Sequence, residues 1–141
     1  MYEKERQKLI DALAKYDISD RVRKAIYKVP RHLFVPSDVR KWAYADRPLP
    51  IGHKQTISAP HMVAMMCHYL DPMEGDTVLE IGTGCGYHAA VLAELVGKNG
   101  CIVSIERVGG LVHNAEKNLQ HLGYDNVVKV VEGDGTLGYP E

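Results

Sequence analysis

With 141 residues, 45% of them hydrophobic and 25% charged, the chain has the size and composition of one ordinary globular domain. Its formal charge of −1, with Lys and Arg spread along its length, gives no electrostatic case for a nucleic acid or an anionic membrane surface. No apolar run approaches the ~20 residues that span a bilayer, the charged start Tyr2-Glu3-Lys4-Glu5-Arg6 lacks the apolar core of a signal peptide, and Cys67, Cys85 and Cys101, with no Cys-x-x-Cys pair, point to a reducing cytoplasm.

The first forty-odd residues read as helical. Leu9, Ala12, Leu13 and Tyr16 recur at helical spacing. Asp17-Ile18-Ser19-Asp20 breaks the pattern, and Ser19 is placed to cap a second helix carrying Val22, Ile26 and Val29. Pro30 ends that helix, and Pro36-Ser37 opens a short one through Trp42. Residues 45–60 hold Pro48, Pro50, Gly52 and Pro60 with little periodicity, which predicts a long ordered loop of the functional kind. A helix from Pro60 to Leu70 follows, with proline where a missing N–H costs nothing.

Beyond Pro72 the pattern turns to α/β. Thr77–Ile81 predicts a strand, and Tyr87–Val96 a helix stopped by Gly97. Cys101–Ile105 predicts a second strand, Leu111–Leu122 a helix stopped by Gly123, and Val127–Val131 a third strand. This alternation implies right-handed crossovers and a parallel sheet. The expected division is a helical region with a loop over 1–72 and half of a doubly wound sheet over 73–141.

The strongest local signal is Glu80-Ile81-Gly82-Thr83-Gly84-Cys85-Gly86, at the turn from the first strand into a helix. Glycines at 82, 84 and 86 let the chain bend sharply and a ligand approach the backbone. A dinucleotide fingerprint counted from Gly82 needs its last glycine at position 87, which is Tyr87, and the Lys-Ser/Thr ending of a P-loop is missing. With Glu80 just upstream, the spacing resembles motif I of class I S-adenosylmethionine (SAM) methyltransferases. Gly-rich turns also occur at many strand–helix junctions without a ligand.

Two further marks lie at the same rim. Glu106 ends the second strand and can accept hydrogen bonds from both hydroxyls of a ribose, or simply pair with Arg107. Asp134 and Gly135 close the third strand; Asp134 can accept from an adenine amino group and Gly135 can let the ring lie close, or the pair is a plain turn.

Four segments resemble protein-L-isoaspartate O-methyltransferases specifically. They are Val29-Pro30-Arg31-His32-Leu33-Phe34-Val35-Pro36, Tyr44-Ala45-Asp46-Arg47-Pro48-Leu49-Pro50-Ile51-Gly52, Gln55-Thr56-Ile57-Ser58-Ala59-Pro60-His61-Met62 and Gly133-Asp134-Gly135-Thr136-Leu137-Gly138-Tyr139. The resemblance implies a truncated class I methyltransferase fold, since family members continue through the rest of the sheet. In the family's strand order the first strand is central, so the far edge of the strand at 77–81 is left unpaired, and self-association is expected there. The resemblance further implies SAM as cofactor, S-adenosylhomocysteine as product and isoaspartyl proteins as substrates. Ser58 is then the active-site serine, with Thr56 and Ile57 lining cofactor and substrate.

The chemistry needs no strong base. An isoaspartyl α-carboxylate, with a pKa of roughly 3.5, is already ionised at neutral pH. Placement and exclusion of water remain for the protein to supply. Ser58 also sits where an N-cap is expected for the helix that follows. His61, Cys67, His68, His88 and His113 show no metal-ligand spacing and read as ordinary helix or exposed residues, and Trp42 and Tyr44 as packing residues. Two alternatives stay open: a SAM-binding fragment without catalysis, and a class I methyltransferase for another carboxylate or a small molecule.

Overall fold

A computed structural model describes residues 2–139. Helix α1, Glu3–Leu13, starts with Glu3 and Glu5 at its positive end and buries Leu9, Ile10 and Leu13. The chain then tightens into a 3-10 turn and reverses at Asp17, whose φ is 58°. Ser19 Oγ accepts the Val22 N–H at 3.3 Å, capping helix α2, Asp20–Lys28, as its sequence position predicts. Short 3-10 turns at Arg31–Leu33 and Ser37–Trp42 follow.

The stretch expected to be a loop contains a hairpin. Strand β1, Leu49–Gly52, pairs antiparallel with β2, Gln55–Ile57. His53 and Lys54 turn between them with φ of 54° and 58°, the left-handed pair that a two-residue hairpin demands. Pro50 is tolerated because a two-stranded ribbon has free edges. Leu49, Ile51 and Ile57 point inward and are buried. Helix α3, Pro60–Leu70, is capped by Ala59 without a side-chain bond, so Ser58 is not the N-cap that its position suggested.

Strands β3 (Thr77–Ile81), β4 (Cys101–Glu106) and β5 (Val128–Glu132) form a parallel sheet in the order β3-β4-β5. Helix α4, Tyr87–Val96, joins the first two and α5, Gly109–His121, the last two. Two successive right-handed crossovers in one direction put both helices on one face, over Val78, Ile102 and Val128. The other face carries no helix, with Leu79 47% and Ile81 55% exposed, although Ile105 beside Ile81 is buried. A single apolar cluster runs from Leu9 of α1 through the hairpin to Val128 of β5.

Two arginines bind the segments across this core. Arg21 donates to the carbonyls of Pro72 and Leu95, at 2.5 and 3.1 Å, joining α2 to the end of α4. Arg31 is fully buried. Its Nε donates to the Ala43 carbonyl at 2.7 Å and its Nη2 to the Ser58 carbonyl at 2.9 Å, while the guanidinium lies 4.7 Å from the centre of the Tyr87 ring. No carboxylate pairs with it among the described residues. Replacing Arg31 with methionine, which keeps the bulk and removes the donors, is expected to cost about 3 kcal/mol by orphaning buried carbonyls. Urea unfolding measures this, and an unchanged midpoint would contradict the role given to Arg31.

Candidate active site

The turn after β3 is built from glycines that the geometry requires. Gly82, Gly84 and Gly86 all have positive φ, and at Gly86 an added Cβ would also press on Leu119 of α5 at 3.2 Å. The turn delivers the start of α4 under the hairpin and leaves two depressions along the rim of the sheet. One, of about 80 Å³, is lined by Thr56, Ile57 and Ser58 on one side and Glu80, Gly82, Thr83 and Gly84 on the other. The second, of about 300 Å³, is lined by Gly82, Glu106, Asp134 and Gly135. They meet at Gly82. A larger hollow of about 370 Å³ between α5 and β5 is far from this rim and holds none of the expected site residues.

Nearly all of the residues singled out from the sequence therefore lie along one groove. Gly86 lines neither depression; it starts α4 and packs beneath α5. Ser58 is exposed, with its backbone carbonyl held by Arg31. Glu106 does not pair with Arg107. Its Oε1 accepts the Gly84 N–H at 2.9 Å and its Oε2 the Val108 N–H at 3.1 Å. The carboxylate is fixed at both ends and retains free lone pairs. Asp134 accepts from the Thr136 N–H and hydroxyl at 2.9 and 2.7 Å, bonds that hold its pKa below the usual value. Gly135 is needed for packing, because a Cβ there would run into Ile81.

Glu80 is the most perturbed of these groups. It lies on the helix-covered face of β3, where Ser104 Oγ donates to its Oε1 at 2.5 Å and Thr83 Oγ1 bonds Ser104 Oγ at 2.6 Å. Burial pushes its pKa up to about 7, against the Ser104 bond, and the charge of Glu106 raises it further. His88 stands with Nδ1 3.6 Å from Glu80 Oε2 and Nε2 3.3 Å from Cys67 Sγ. Burial lowers its pKa to about 4, so it is neutral near pH 7. Ser104, His88 and Cys67 were not readable as site residues: none belongs to a motif, and only the β3–β4 register and the packing of α3 against α4 bring them to Glu80. Tyr44 is buried as expected, whereas Trp42 is 44% exposed under Arg47 and Lys41. No cluster suited to a metal ion occurs among the described residues, nor any helix long and apolar enough to cross a membrane.

Comparisons with known proteins agree on one family. Residues 4–141 match the model of the protein-L-isoaspartate(D-aspartate) O-methyltransferase family. The chain is 64% identical to protein-L-isoaspartate O-methyltransferase 1 of Archaeoglobus fulgidus over 87% of its own length and 56% of that relative. It is 59% identical to the protein-L-isoaspartate O-methyltransferase of Methanothrix thermoacetophila over 96% of its own length and 64% of that relative. It thus spans less than two thirds of either. A solved protein-L-isoaspartate O-methyltransferase matches 96% of the chain, and 44% of its own, with a TM-score of 0.87 and 36% identity. A structure described as that enzyme from Plasmodium falciparum, in complex with S-adenosyl-L-homocysteine, matches 89% of the chain and 62% of its own, with a TM-score of 0.76 and 28% identity.

The buried carboxyl makes stability depend on pH. Glu80 has a folded pKa near 7, above the ordinary 4.5, so the folded state holds this proton more tightly than the unfolded one. Its contribution is intact below the unfolded value and is lost as pH rises through about 7. His88 acts oppositely, weakening the fold as pH falls from 6.5 to about 4, and is common to both proteins compared. Glu80→Gln is therefore expected to gain about 3 kcal/mol on the unsubstituted protein between about pH 4 and about pH 8. Urea unfolding at the two pH values measures the gain, and a constant difference would contradict it.

Proposed function

Because the chain belongs to the protein-L-isoaspartate(D-aspartate) O-methyltransferase family, we propose that it supplies the cofactor groove and active-site serine of an enzyme that methylates the free α-carboxylate of L-isoaspartyl residues in damaged proteins. Its architecture is that of class I SAM-dependent methyltransferases. The observation that carries the proposal is the meeting at Gly82 of two depressions, one holding Ser58 and the other Glu106 and Asp134.

The residues present suit SAM. At Gly82 an added Cβ would meet nothing within 4 Å, so the backbone is open to a ligand there. When bound, the cofactor supplies a methyl group activated by a sulfonium. Glu106 is held by two backbone N–H groups and offers its remaining lone pairs to the ribose hydroxyls. Asp134, steadied by Thr136, accepts from the adenine amino group, while Gly135 keeps that wall of the groove thin. Thr56 and Ile57 bring the hairpin over the other end, where Glu80, Thr83 and Gly84 form the facing wall.

Ser58 would hold one oxygen of the substrate carboxylate with its exposed hydroxyl and leave the other free toward the methyl group that the bound cofactor would supply. The carboxylate and the sulfonium would lose their opposite charges together, so a site that excludes water favours transfer. The hydroxyl stays protonated throughout, and Arg31 sets its place by holding the Ser58 carbonyl. The proposal places the protein in the cytoplasm, with isoaspartyl proteins as partners and neither nucleic acid nor membrane. The chain spans 56% and 64% of two relatives, which favours a second reading: a part that binds the cofactor without completing transfer.

Labelled SAM offered with matched isoaspartyl and aspartyl peptides tests the first reading. Methylation of the isoaspartyl peptide alone is expected, and Ser58→Ala is expected to lower kcat about a hundredfold through lost placement. Cofactor binding without transfer to either peptide would support the second reading. We further propose self-association through the outer edge of β3, flanked by the exposed Leu79 and Ile81. Light scattering is expected to show mass rising with concentration, and a constant monomer mass would refute it.

A further inference from the structure

Helix α3 begins two residues after Ser58, and its first turn lacks a cap of its own. Ala59 stands at the N-cap with no side chain that can accept, and Pro60 has no N–H to give. The first free N–H, that of His61, goes instead to Asp46 Oδ1 at 2.9 Å, 15 residues back in the chain. His61 Nδ1 reaches the same oxygen at 3.0 Å. A carboxylate can only accept, so this contact puts a proton on Nδ1. Tyr16, from the 3-10 turn after α1, lies nearly flat against the imidazole, with ring centres 5.3 Å apart and planes 13° from parallel.

Asp46 belongs to the turn at 43–47, and Arg31 grips that turn as well. Its Nε donates to the Ala43 carbonyl at 2.7 Å and its Nη2 to the carbonyls of Ser58 and Arg47, at 2.9 and 3.5 Å. The backbone at Ser58 is thus tied to one turn from both ends. Arg31 holds the Ser58 carbonyl, and Asp46 holds the N–H of His61. Between these ties lie only Ala59 and Pro60, both buried. A short segment bracketed in this way and stiffened by proline has little freedom to turn, and the exposed Ser58 side chain takes its direction from it. Asp46 and His61 themselves line neither depression of the groove.

We propose that Asp46 is a positioning residue which, by holding the His61 N–H against the turn at 43–47, fixes the Ser58 hydroxyl for the substrate carboxylate. The inference rests on the function proposed above and deepens it. Asp46 touches no reacting atom; it acts through the start of α3. A purely structural cap would serve equally well if supplied from within the helix, whereas a positioning tie must join α3 to the turn. Misplacing a reacting group by about 1 Å costs about a hundredfold in rate, so loosening one of the two ties is expected to lose about tenfold.

The test uses the full chain, with methyl transfer from SAM to an isoaspartyl peptide and calorimetric titration of S-adenosylhomocysteine. Asp46→Ala is expected to lower kcat about tenfold while changing the affinity for S-adenosylhomocysteine by no more than about twofold. Asp46→Asn, whose amide oxygen still accepts the His61 N–H, is expected to keep kcat within about threefold of the unsubstituted value. Adding Ala59→Ser to Asp46→Ala supplies a cap from within the helix, so it is expected to restore the thermal midpoint, and folding if that was lost, but not kcat. Recovery of kcat in this double variant, an unchanged kcat in Asp46→Ala, or an equal loss of cofactor affinity overturns the positioning role and leaves the proposed activity standing. No transfer by the unsubstituted chain overturns that activity, and backbone NMR order parameters then decide on Asp46. Lower order at Ser58 in Asp46→Ala, with the last turn of α3 unchanged, is expected, and unchanged order at Ser58 overturns the proposal.

Discussion

A guanidinium with no carboxylate beside it holds this structure in register. Burying a cation without a counter-ion is costly, so its partners must be numerous and well placed. Arg31 offsets part of that cost with the carbonyls of Ala43 and Ser58 and the face of Tyr87, which belong to three different segments, while its buried Nη1 has no hydrogen-bond partner. It sits at the start of the turn after α2 and touches both the hairpin's exit and the first residue of α4. The hydroxyl of Ser58 and the glycine turn are thus located relative to each other by one side chain that faces neither depression.

The sheet contributes the second constraint. In-register parallel pairing sets Glu80 opposite Ser104 and Ile105 opposite Val131, which aligns the carboxyl ends of three strands along one rim. Two acidic groups result from this with contrasting environments. Glu106 is tied by two backbone N–H groups, while Glu80 is pushed into the helix-covered layer and depends on neutral donors. One is braced as an acceptor, and the other is left with a proton that it can lose or keep near neutrality.

Much of this was legible before any coordinates. The periodicity of α1 and α2, the Ser19 cap, Pro60 at the start of α3 and the alternation after Pro72 each depend on residues within one or two turns of each other. The glycine turn was equally clear, since positive φ at 82, 84 and 86 has few other sequence solutions. The hairpin at 49–57 was hidden by Pro48 and Pro50 and by strands of only four and three residues. Ser58 was misjudged as a cap because a helix does begin two residues later, yet Ala59 occupies the capping position. Arg31, Ser104, His88 and Cys67 acquire their roles mainly from contacts across 12 to 56 positions of sequence, which no local pattern encodes.

Parallel sheets are ordinarily covered on both sides, and here both crossover helices lie on the same side, leaving Leu79 and Ile81 in water. Covering apolar side chains of this kind removes them from water and lowers the heat capacity, so any layer laid over this face carries that calorimetric signature.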